Sequence, residues 1–362
     1  MRGIPSAFFL ACSWFWCIGG FFPVLLEREF GWIALPFFLL FNVVGAALFG
    51  LVWRDGARRE FRQRFLKFAQ GFSALVIGYH FVFISWISVM LNDLRPLPGF
   101  AAVTLLFFLM RRRLTILSIP VFGLTAGLFA TILFLPTPDV PAAPAQYPFL
   151  HQVIPLAIGF LLAPYFDLTF HRAFAESTHP RRSFLLGFGI LFTALLAGML
   201  FSTTHFAQLL NQPSLSQTPV LAVVTLVVLQ TGFTTAAHFR EIADSQWLRA
   251  PLLPMMLLAV TALSTLHLVV DSSPVLSTEL IGELLYRSFI FAVGVIFPVI
   301  LMFGGLSRFS IAVITFLTPC YGLGFLVGGA YAPFLTIGIA GLAIAYWMRP
   351  QFRPLAFSRH QR

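Results

Sequence analysis

Apolar residues come in long runs along this chain, and the breaks between runs are short and carry most of the polar residues. Twelve runs fall near 5–26, 31–53, 68–91, 97–110, 114–135, 149–170, 183–204, 218–239, 250–270, 281–303, 309–328 and 330–348. A helix that crosses a bilayer needs ~20 predominantly apolar residues. Eleven of the runs meet that length; the fourth is short and opens on Pro96 and Pro98. The pattern predicts an all-α polytopic membrane protein with about twelve transmembrane helices. The first run is too long for the core of a signal peptide and no small-x-small cleavage site follows it, so it is read as a retained helix.

Composition agrees with the pattern. Of 362 residues, 59% are hydrophobic and 10% charged, against ~45–50% and ~25% in soluble domains. The net charge of +10 would suit a nucleic-acid partner only on a soluble face. Here its placement gives a different answer. With the N-terminus inside, the inner segments hold 20 of the 23 basic residues, and only Arg28, Arg95 and Arg287 lie outside. Basic residues gather in cytoplasmic loops. Both termini are therefore expected in the cytoplasm, in the inner membrane of a prokaryote, with the lipid bilayer and no nucleic acid as partner. The three cysteines match neither a disulfide framework nor a zinc site.

No loop is as long as a domain, so chemistry or binding must take place among the helices. Two runs contain features that a plain spanning helix avoids. The first has Gly19-Gly20 at its middle and Pro23 soon after; the sixth has Gly159 and then Ala163-Pro164-Tyr165-Phe166-Asp167. Glycine and proline both weaken a helix, and backbone groups freed inside a bilayer must be covered by protein or cavity water. The breaks lie five spans apart. An odd repeat inverts its second copy, so residues 1–137 and 148–304 read as inverted repeats, each led by a broken helix, and 305–362 as two extra helices and a tail. Half-helix ends near the midplane can bind a solute and a cation.

This layout resembles the leucine-transporter fold of the amino acid–polyamine–organocation superfamily. The stretches that carry the resemblance are Ile18-Gly19-Gly20-Phe21, Phe41-Asn42-Val43-Val44-Gly45 through Phe49-Gly50, and Pro164 to Asp167. It implies a carrier with Gly19, Gly20, Tyr79, His80, Pro164, Tyr165 and Asp167 at a solute site. It also implies Thr234 and Thr235, on the eighth span, as cation ligands facing carbonyls of the first.

Ionisable groups inside a membrane are functional candidates by default. Asp167 and His171 are four apart, a spacing suited either to holding a proton between them or to a helix-end ion pair with Arg172. Glu283 and Arg287 have the same spacing and, with Arg28, are candidates for an outer gate. The expected function is that of a secondary active transporter, not an enzyme. It would move a small polar or amphipathic solute, coupled to Na⁺ or H⁺, without a cofactor. The last two helices would shield the core or form a homo-oligomer contact. The competing class is a haem or copper protein using His151, His205 and His267 near the outer face.

Overall fold

The computed structural model describes residues 3–15, 23, 26–27, 30–136, 159, 161–206, 214–243, 278–327, 331 and 333–347. In chain order the helices are α1 (Gly3–Trp14), α2 (Ala34–Val52), α3 (Asp55–Met90), α4 (Pro96–Leu109) and α5 (Leu114–Leu133). A 3₁₀ turn, Arg111–Arg113, joins α4 to α5. After a second 3₁₀ turn, Ala163–Tyr165, come α6 (Leu168–Glu176), α7 (Pro180–Phe201) and α8 (Thr218–Ile242). Next is α9, which runs from Thr278–Phe291 through a π turn, Ala292–Ile296, into Phe297–Met302. The helices α10 (Arg308–Tyr321) and α11 (Pro333–Trp347) complete the described part.

Six helices are long and apolar enough to cross a membrane, and four shorter apolar ones accompany them. All ten coincide with predicted runs. The ninth run lies outside the described residues, as do most of the second half of the first and most of the outer part of the sixth. Large apolar side chains face outward on many helices, among them Leu109, Phe134, Phe201 and Trp347. Lipid makes this exposure cheap, and the chain is a helical integral membrane protein.

Two elements differ from expectation. Residues 55–67, expected as a cytoplasmic loop, are helical, so α3 has 36 residues and is ~54 Å long at 1.5 Å per residue. That exceeds the ~30 Å hydrocarbon core, and the excess is the basic segment. Its N-terminal Asp55 lies where the helix dipole favours a negative charge. The fourth span is a helix of only 14 residues, and the arginine run behind it forms the tight turn into α5. Wide π turns also interrupt α7 and α9, at Gly187–Phe192 and Ala292–Ile296. In α9 the cause is local: Pro298 leaves the Gly294 carbonyl without its helical donor.

Packing sorts the helices into two groups. In one, α1 lies against α6 and α7, and α2 against α7. In the other, α8 lies against α3 and, most extensively, α4. α5 touches both α1 and α8, and the groups also meet directly where α8 packs on α1 and α6 and where α3 packs on α6. The α8–α4 contact is close because of Gly232: a Cβ there would stand 2.6 Å from Val103 Cγ1 and 3.3 Å from the Thr104 nitrogen. Within the first group, Gly187 admits the Ala7 carbonyl at 3.0 Å from where its Cβ would be. A buried hydrogen bond of 2.7 Å from Trp14 Nε1 to Asn42 Oδ1 ties α1 to α2.

Candidate functional site

The sixth run breaks at the predicted place. Leu161 and Leu162 are helical, Ala163–Tyr165 tighten into the 3₁₀ turn with Pro164 in its first positions, and Asp167 is extended (φ −76°, ψ 108°) before α6 begins. Three backbone groups near the break are met by protein. The Phe166 nitrogen donates to the Ala163 carbonyl (3.0 Å) and the Asp167 nitrogen to the Pro164 carbonyl (3.2 Å). The Tyr165 carbonyl accepts from His171 Nε2 at 2.9 Å.

Asp167 is the N-cap of α6. Its Oδ1 accepts from the Thr169 nitrogen at 2.7 Å, the standard way in which an aspartate satisfies an orphan donor. Its Oδ2 has no hydrogen-bond partner, and the side chain is fully buried. The expected pairing of Asp167 with His171 is not made. Because Asp167 precedes the helix, the i, i+4 relation does not bring the two side chains together, and the His171 ring turns back to Tyr165. The imidazole that faces Asp167 belongs instead to His238 of α8, with Nε2 4.0 Å from Oδ2.

His238 stands in a buried polar seam between α3 and α8. Its Nδ1 is 3.2 Å from Ser73 Oγ, and its Nε2 has no hydrogen-bond partner. Further along, His80 Nδ1 lies 2.8 Å from Thr235 Oγ1, which itself donates to the Thr231 carbonyl at 2.7 Å. With that hydroxyl proton committed, His80 must donate from Nδ1, which leaves Nε2 a bare acceptor.

The threonine pair of the eighth span is split. Thr234 Oγ1 reaches the Cys12 carbonyl of α1 (3.2 Å) as well as its own Gln230 carbonyl (2.9 Å), while Thr235 turns to α3. Gln230 Nε2 contacts Thr125 of α5, and Cys12 Sγ reaches the Ser118 carbonyl at 3.6 Å.

The other expected site residues are scattered. Tyr79 stacks on Phe289 of α9, ring centres 4.2 Å apart, on a different side from the His80 contact. Arg287 is buried, and its guanidinium meets the Phe325 carbonyl while its own carbonyl accepts from Tyr321. It therefore fastens α9 to the C-terminal helices. Gly19, Gly20, Arg28 and the side chain of Glu283 lie outside the described residues, as do His151 and His267. His205 is buried near the end of α7. Among the described residues no group of three or more His, Cys, Asp and Glu side chains is placed to hold a metal ion.

At the arginine-rich end, below the break, a charged network joins the two groups. Arg172 of α6 contacts Glu241 of α8, a carboxylate almost fully buried, and lies 3.5 Å from Glu176. Arg240 Nε donates to the same Glu241 at 3.0 Å. Thr115 of α5 donates to Glu176 at 3.0 Å. Arg58 of α3 is buried and donates to the His171 carbonyl (3.1 Å) and to Asp55 (2.8 Å). That last bond holds the Asp55 carboxyl below the usual carboxylate range. In the sequence Arg58 and Arg240 stand out only as topology markers and Arg172 also as a helix-end partner of Asp167 and His171, whereas Glu241 and the pairing of His238 do not stand out. One signal for His238 was present: it lies three and four residues after Thr235 and Thr234, on the same helix face.

No family model matches the chain, and no curated protein does. A solved structure of a manganese transporter from Eremococcus coleocola, in complex with an aromatic bis-isothiourea substituted compound, is similar at 14% identity and a TM-score of 0.45. The match covers 96% of this chain and 92% of that one.

Proposed function

We propose that the protein is a secondary active transporter that moves a small polar or amphipathic solute by alternating access, coupled to Na⁺ or H⁺. The observation that carries this reading is the break at Ala163–Asp167. It leaves an unpartnered carboxylate oxygen, fully buried, at the junction of two helix groups. A plain structural helix gains nothing from such a break, whereas a carrier needs polar groups where its two moving parts meet.

Three further observations support it. The broken sixth span packs beside α1, as the five-plus-five arrangement requires of its two leading helices. Thr234 of the eighth span reaches a carbonyl of the first, the contact the leucine-transporter resemblance implies. The charged network closes the arginine-rich end, which on the charge bias is the cytoplasmic end. In this reading the solute site is built around Gly19, Gly20 and the 163–167 break, with His80, Thr234 and Thr235 beside it. The structure would be the state closed toward the cytoplasm.

The test is reconstitution into proteoliposomes carrying an inward Na⁺ or H⁺ gradient, with a panel of radiolabelled amino acids, amines and organic acids. Gradient-driven uptake that ionophores collapse, and that Asp167→Asn abolishes in a folded protein, is the expected result. Uptake unchanged in Asp167→Asn would overturn the role of the break; no uptake under either gradient would overturn transport.

A further inference from the structure

The facing pair Asp167 and His238 identifies the coupling ion, if the transporter reading on which this rests is right. We propose that Asp167 and His238 together hold one exchangeable proton across the boundary between the two helix groups, so that the coupling ion is H⁺.

Geometry supplies the first support. Both side chains are fully buried. Each has one atom anchored to its own group: Asp167 Oδ1 by the Thr169 nitrogen at the start of α6, His238 Nδ1 by Ser73 of α3. The remaining atoms, Oδ2 and Nε2, are unpartnered and 4.0 Å apart. That is about 1 Å beyond hydrogen-bond distance, so a small closing movement of α6 toward α8 makes the bond and a small opening loses it.

Charge accounting supplies the second. With one proton the pair is neutral overall, and burial of both groups favours the uncharged form, acid and imidazole, over carboxylate and imidazolium. Without it, a single negative charge remains buried in a membrane protein, which is costly. The neighbouring charges do not relieve that cost, because each has its own partner. On α6, Arg172 is engaged by Glu241 and Glu176, and His171 by Tyr165. From α3, Arg58 is engaged by Asp55 and the His171 carbonyl, and His80 by Thr235. On α8, Arg240 is engaged by Glu241. From α1 the nearest ionisable group is Cys12, held at Ser118. The proton is therefore retained while the groups are together and released when they part and water enters, which is what coupling requires.

The chemistry also discriminates against Na⁺. A hard cation collects several oxygen ligands; here the group opposite the carboxylate is a ring nitrogen, the natural partner of a proton.

The test is infrared spectroscopy of the full-length protein in detergent, titrated with pH in choline chloride and again in NaCl. The wild type should show the carbonyl stretch of a protonated, buried carboxylic acid. Asp167→Asn should remove it while keeping the helix cap, since asparagine caps as well as aspartate. His238→Gln should move its midpoint by about one pH unit or more, a tenfold change in proton affinity. A band that survives Asp167→Asn, a midpoint unmoved in His238→Gln, or a band abolished by NaCl would each overturn the proposal. No solute is needed, so a failed uptake screen and a failed titration are separate results. Unchanged helical circular dichroism and gel-filtration profiles identify the variants that have folded.

Discussion

The carboxylate of Glu241 makes the sharpest mechanical prediction, because only one of its two arginine partners lies across the group boundary. Arg240 is its neighbour on α8 and travels with it; Arg172 is on α6. Glu241→Gln keeps the shape and one acceptor oxygen and removes the charge, so on the proposed transporter reading the state closed at the arginine-rich end loses the charge-assisted part of a single crossing contact. Such a bond contributes about 1.5–3 kcal/mol when buried. Arg172 is 35% exposed, and solvent screening brings the figure to about 1–2 kcal/mol. At 1.36 kcal/mol per tenfold change, the population open at the arginine-rich end should rise roughly 5- to 30-fold. Cys12 reports it: its thiol is buried on α1, facing α5 and α8. In a background carrying Cys17→Ser and Cys320→Ser, alkylation of Cys12 by a small maleimide should accelerate by that factor. The rise stays bounded because Arg58 and Thr115 still bridge the end. Adding Arg172→Gln should have little further effect, since both changes break one interaction. An unchanged rate in the folded Glu241→Gln protein, or fully additive effects in the double variant, would refute a closing role for the Arg172–Glu241 contact.

Three other outcomes follow from local geometry. Asp167→Ala should melt below Asp167→Asn by an amount corresponding to about 1 kcal/mol, the usual worth of an N-cap; equal melting temperatures would mean that the Thr169 contact contributes nothing. Asn42→Leu removes the acceptor of a buried indole N–H and should destabilise by about 1–3 kcal/mol, read as a lower thermal midpoint in detergent. Asp55 is held below its ordinary range by Arg58, so its contribution is complete above the unfolded carboxylate value and is lost as pH falls through the folded one. The difference in melting temperature between wild type and Asp55→Asn should therefore shrink on acidification.

Local chemistry was legible in the sequence, and pairing across helices was not. Pro164 marks the break because proline cannot continue a helix in any surroundings, and a carboxylate in an apolar run is conspicuous at once. The choice of His238 over His171 as its partner depends on how α6 docks against α8, 71 positions further along the chain. The helix over 55–67 shows a third case, in which the signal was present and was masked. Charge made the segment look like a loop, yet Arg58, Phe61, Phe65, Ala69 and Phe72 are buried at spacings of three and four, the pattern of an amphipathic helix. The averaged hydropathy there reflects the exposed arginines and hides the face that packs. Reading Arg58 as part of that face would have moved it from topology marker to buried contact.

The distribution of polar contacts also bears on whether the two groups can move. Within a group they are many: Trp14 with Asn42, Ser183 with the Gly3 carbonyl, His171 with Tyr165 on one side, and Ser73 with His238, His80 with Thr235 on the other. Across the boundary they include Thr234 to Cys12, Arg172 to Glu241, Arg58 to His171, and the approach of Asp167 to His238. A net hydrogen bond between membrane helices contributes roughly 0.6 kcal/mol on average and up to about 1.7, so parting the groups forfeits a few kcal/mol of polar contact. Ligands shift conformational equilibria by typically 1–3 kcal/mol each. On the proposed transporter reading, a proton and a solute acting together would supply what parting these polar contacts costs, while neither group would need to lose its internal bonds.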